Sequence, residues 1–83
     1  MNAEIVGIDE RDPRKEIVWL IVDINGRTQK IGATRPGEWT FGDGSGATYD
    51  ELRLLAESWE RAHEVELAPH FKRAEEEQRR RRS

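Results

Sequence analysis

The stretch Glu16-Ile17-Val18-Trp19-Leu20-Ile21-Val22-Asp23-Ile24, followed at once by Asn25-Gly26, decides the fold. Residues 17–22 are consecutively apolar and nearly all β-branched or aromatic, which suits a central strand. An Asn-Gly pair tolerates positive φ at both central positions of a type I′ turn, so the chain reverses there. The return strand, residues 27–33, is polar and carries Lys30, features expected of a sheet edge. Upstream, residues 3–9 read as a first strand. Asp12-Pro13 supplies the turn between the two, because proline presets φ and aspartate bonds its own nearby backbone. Strand side chains alternate between faces, so Val18, Leu20, Val22 and Ile24 point one way and Ile17, Trp19 and Ile21 the other. Both faces of the sheet need cover.

Downstream, residues 34–47 form a loop with Pro36-Gly37 and the run Gly42-Asp43-Gly44-Ser45-Gly46. Trp39 and Phe41 alternate with polar or small neighbours, which allows a short fourth strand. A helix starts at Thr48, whose hydroxyl caps the first turn while Glu51 completes a capping box. Leu52, Leu55, Ala56, Trp59 and Ala62 fall on one helical stripe. Pro69 should break the pattern near residue 68. Beyond it, Glu75–Arg79, Glu76–Arg80 and Glu77–Arg81 are spaced as i,i+4 ion pairs of a second, solvated helix. The expected class is α+β: a small antiparallel sheet of three to four strands packed by one long helix, followed by a second charged C-terminal helix. Residues 1–71 form the domain and residues 72–83 a charged helical tail. One helix covers one sheet face. The other is closed by the loop with Trp39 and Phe41, by the second helix, by a homodimer contact or by a partner protein.

Hydrophobic residues make up 35 % of the 83 and charged residues 37 %, so the chain holds one modest core inside an ionised shell. Cysteine is absent, which excludes disulfides, thiolate nucleophiles and cysteine-type zinc sites, and fits a reducing, cytoplasmic setting. No apolar run approaches the roughly 20 residues a membrane span needs, and residues 1–4 are neither basic nor apolar, so neither a membrane location nor a leader is expected. The net charge of −3 divides unevenly. Residues 1–71 carry 8 basic and 14 acidic side chains, and residues 72–83 carry 6 basic and 3 acidic.

Motifs for chemistry are weak. The glycine run lacks the Lys-Ser/Thr ending of a phosphate loop and reads as a linker. Glu60-Arg61-Ala62-His63 has the Glu-x-x-His spacing of di-iron bundles, but in a single copy, which reads as a helix-surface histidine near a carboxylate. One tyrosine, two histidines and no nucleophile–base arrangement leave no basis for catalysis. No enzyme activity, cofactor or metal site is expected.

Residues 36–39 and 59 resemble in layout the MbtH-like proteins, small partners of adenylation domains in peptide synthetases, which have a similar Pro-to-Trp turn after a hairpin and a second tryptophan late in the next helix. Where that family has Ser-Leu-Trp-Pro this chain has Gln29-Lys30-Ile31-Gly32, and the family's Asn-Pro-Phe-Asp opening is absent, so membership is not assigned. The resemblance implies a small protein that acts by binding a larger one.

The residues themselves lead to a non-enzymatic protein-binding module that modulates or inhibits a larger complex. Its partner-binding residues are Trp39, in its proline- and glycine-framed loop, and the carboxylates Asp50, Glu57, Glu60 and Glu64. A more specific version is a viral, phage-type inhibitor of a host defence or nucleic-acid-handling complex, since regularly spaced carboxylates can imitate a phosphate row. The alternative is a nucleic-acid-binding accessory protein using Lys72, Arg73, Arg79, Arg80, Arg81 and Arg82, because basic blocks often act as interaction tails.

Overall fold

A computed structural model describes residues 3–42 and 47–82, and for Ala47 and Thr48 the backbone alone. Strands β1 (Ala3–Asp9), β2 (Val18–Ile24), β3 (Arg27–Ala33) and β4 (Trp39–Gly42) precede helices α1 (Ala47–Ala62) and α2 (Glu64–Arg82). The strands form an antiparallel meander in the order β1-β2-β3-β4, an α+β layout with the sheet packed against α1. Asn25 and Gly26 take φ of 52° and 84°, the pair of positive values the type I′ turn demands. Asp23 Oδ1 accepts from Gly26 N–H at 2.9 Å and braces that turn. The expected turn at Asp12 forms in the same way, with Arg14 N–H donating to Asp12 Oδ1 at 2.8 Å. The glycine run 43–46 and the Thr48 hydroxyl cap lie outside the described residues.

The core collects Val18, Leu20, Val22 and Ile24 from β2, Ile31 and Ala33 from β3, and Trp39 from β4. Leu52 and Ala56 of α1 and Leu67, Phe71 and Ala74 of α2 close it from above. Both helices therefore sit on the same sheet face. Trp39 is fully buried and meets Phe71 edge-on, with ring centroids 5.9 Å apart.

Three expectations change. The polar strand β3 is interior, bonded to both β2 and β4. Its Lys30 lies on the open sheet face, opposite Ile21, and pairs with Asp9 at 3.0 Å and Asp12 at 3.3 Å. Trp39 and Phe41 do not form a common lid. A bulge opposite Gly32/Ala33 sends Trp39 into the core and Phe41 to the open face beside Trp19. The helix break falls at His63, not at Pro69. His63 N–H bonds back three residues to the Glu60 carbonyl at 3.1 Å, its ring stacks on Trp59, and α2 restarts at Glu64. Pro69 then sits in the second turn of α2, where it forfeits a single bond, to the carbonyl of the highly exposed Val65.

Trp19 on the open face is nonetheless only 6 % exposed. The Arg14 guanidinium lies 4.6 Å above its ring, Lys30 Nζ 5.7 Å away, and Phe41 at 6.4 Å between centroids. Asp12 anchors this cover, accepting from Arg14 Nε at 3.0 Å and Nη2 at 2.8 Å. The Arg14 side chain, then its backbone N–H, hold the Asp12 carboxyl well below the usual carboxylate range. Asp9 is lowered by the Arg11 backbone N–H and by Lys30, and Lys30 is raised, chiefly by Asp9. Charged side chains cover Trp19 on this face, while Phe41 beside it stays exposed.

The 72–82 segment is continuous with the helix before it. α2 continues through residue 71, Ala74 is fully buried, and Gln78 Nε2 donates to the carbonyls of Thr34 at 3.0 Å and Glu16 at 3.4 Å. Among the described residues no helix is long and apolar enough to cross a membrane.

Candidate protein-binding groove

A concavity of about 740 Å³ runs along α2 beneath the β3–β4 loop. Its deepest lining is apolar: Leu67 and Phe71, nearly buried, with Ala68 beside them and Pro36 on the loop wall. Glu60 and Glu64 line one end, and Lys72, Arg79 and Arg82 continue along the helix to the other. Residues of both sequence-derived sets, acidic and basic, thus share one groove.

The loop wall is pinned at both ends. Gly37 N–H donates to both Glu60 carboxylate oxygens, at 3.2 and 3.1 Å. At the other end the Thr34 carbonyl takes the Gln78 bond. Trp39 Nε1 also donates to Glu60 Oε1 at 3.1 Å, and Tyr49 Oη donates to the Trp39 carbonyl at 2.8 Å. Arg35 and Pro36, between the pins, are held over the groove by bonds that do not depend on a ligand. Preformed walls reduce the entropy lost on binding.

The remaining expected residues separate. Trp39 is a core residue with no surface to offer a partner, because the β4 bulge turns it inward and Glu60 satisfies its indole. Glu60 itself is half-buried, its carboxylate taken up by Gly37 and Trp39. Asp50 is exposed and 3.6 Å from Arg53, and Glu57 is half-buried two helical turns further on. Glu64 follows only after the break at His63, so the four carboxylates do not form one uninterrupted row.

Of the basic set, Arg79 pairs with Glu75 at 2.6 Å, while Arg80 turns to Glu77 at 3.2 Å and Arg81 crosses to Glu16 at 3.4 Å. At 100° per residue, Arg73 and Arg80 lie about half a turn from the groove stripe. Sequence reasoning missed Arg35, Ala68, Phe71, Glu75 and Gln78. The α2 members recur at three- and four-residue steps from Glu64 to Arg82, a helical stripe that was legible. Arg35 carried no signal, since only the fold brings its loop to α2.

No protein-family model, curated protein or solved structure matches this chain.

Proposed function

We propose that this chain is a non-enzymatic protein-binding module that modulates or inhibits a larger complex, with the α2 groove receiving a segment of the partner. One observation supports this most: a groove with an apolar floor, preformed walls and charges of both signs. Apolar anchoring with a polar rim is how protein interfaces combine affinity with orientation. A phage-type inhibitor would use the same groove, with exposed Asp50 and half-buried Glu57 of α1 as an added acidic contact.

The test is affinity capture from a lysate of the source organism with wild type and Ala68→Trp. Ala68 is exposed on the groove floor, so the larger ring fills the groove without entering the core. A defined complex retained by wild type and lost with Ala68→Trp supports the reading. Retention unchanged by the substitution removes the groove from it. Charge reversal at Asp50 and Glu57 measures that acidic contact separately.

The second reading, a nucleic-acid-binding accessory protein, draws on Lys72, Arg79 and Arg82 sharing one stripe. Glu64 and Glu75 on the same stripe oppose a phosphate chain. Truncation after Gln78 abolishes oligonucleotide binding under this reading and spares a partner contact centred on Ala68 under the first.

A further inference from the structure

Resting on the protein-binding reading above, we infer that the groove selects an extended acidic-apolar partner segment, with its apolar residues over the first half of α2 and its carboxylates toward the C-terminal end of α2. The groove's charges are not equally available. Glu60 is engaged by Gly37 and Trp39, and Glu75 by Arg79. Among the described residues no ion pair or hydrogen bond engages the side chains of Arg35, Lys72, Arg82 or Glu64. Available charge is therefore three cations against one carboxylate. It is also ordered in space: Glu64 stands at the start of α2, Lys72 near its middle and Arg82 at its end.

Glu64 and Arg82 are 18 residues apart, about 27 Å at the helical rise of 1.5 Å per residue. An extended strand covers that length in about eight residues at roughly 3.3 Å each. Leu67, Ala68 and Phe71 lie in the first half of this path, so apolar anchors sit there. Carboxylates belong in the second half, facing Lys72 and Arg82, with Arg35 reaching in from the loop. A cation fits the end that meets Glu64. Replacing those carboxylates by lysines sets cations against Lys72 and Arg82 whichever way the segment docks, so charge is discriminated by repulsion as well as attraction.

Fluorescence anisotropy tests this with three labelled probes: an octapeptide of one lysine, then leucine and phenylalanine, then two glutamates, with serine spacers; the same peptide with both glutamates replaced by lysine; and a thymidine dodecamer. The acidic peptide should bind about tenfold more tightly than the lysine-substituted one, the size expected of two or three exposed ion pairs. Lys72→Glu with Arg82→Glu should invert that preference, whereas Ala68→Trp should weaken both peptides. Both helices' circular dichroism checks that these surface variants stay folded. Equal binding of the two peptides, or a preference unchanged by the charge reversals, overturns the acidic assignment while leaving a groove sensitive to Ala68→Trp. Tighter binding of the dodecamer than of either peptide overturns the peptide assignment in favour of nucleic acid. Absence of peptide binding overturns it outright, and the capture experiment then decides the broader reading independently.

Discussion

Removing the Glu60 carboxylate should cost more stability than removing any other charged side chain of α1. In Glu60→Ala the indole N–H of Trp39, a side chain at 0 % exposure, loses the acceptor 3.1 Å away. A buried donor left unpaired costs about 1–3 kcal/mol, and bonds to a charged acceptor lie toward the upper part of that range. Gly37 N–H also loses its acceptor, but Gly37 is exposed and water replaces it, which adds little. The expected loss is about 2–3 kcal/mol, a large share of the roughly 4–12 kcal/mol typical of a chain this size. Urea titration followed by tryptophan fluorescence should show the midpoint falling by about 2 M, taking a slope near 1 kcal/mol per M. Glu60→Gln keeps an acceptor oxygen and should lose only about 1 kcal/mol. The Ala variant should also weaken groove binding, because the loop wall carrying Arg35 and Pro36 is unpinned. A Glu60→Ala midpoint within about 0.5 kcal/mol of wild type would refute the argument that this carboxylate holds the loop and the tryptophan together.

Acid should loosen the open face first: Asp9 and Asp12 have folded values below their ordinary 3.8, so their stabilisation is complete above about pH 4 and is lost as pH falls through the folded values. Asp12→Asn should flatten that acid limb of a stability–pH profile, whereas a wild type equally stable at pH 2 and pH 6 would contradict it. Gly32→Ala should destabilise by about 1–3 kcal/mol, since a Cβ there would stand 2.8 Å from both Ile17 Cγ2 and Trp19 Cε3. Gly7→Ala meets nothing within 4 Å and should be neutral or raise the thermal midpoint slightly by restricting the unfolded chain. Phe41→Glu should leave the sedimentation coefficient unchanged, because charged side chains already shield the open face beside Trp19; a drop from dimer to monomer would instead show that this face pairs two copies.

Local patterns carried most of the architecture. The apolar run over 17–22 and Asn25-Gly26 specified a hairpin by themselves, because backbone preference and side-chain alternation act within a few residues. The first and third strands and the apolar stripe of α1 were legible for the same reason. What the sequence could not convey depended on neighbours distant along the chain. A lysine in a polar strand marks an edge only if no further strand pairs beyond it; β4 does, and Lys30 is instead held on the open face by Asp9 and Asp12. Trp39 and Phe41 read as one face until a bulge separated them, and a bulge inserts a residue without a distinctive sequence mark. Proline's effect on a helix depends on its distance from the helix start, and tertiary packing placed that start at Glu64, five residues before Pro69. The groove belongs to the tertiary structure most of all. Its helical stripe was written in residues 64–82, but its walls exist only because Glu60 and Gln78 bring the 34–37 loop against α2, across sequence separations of 23 and 44 residues.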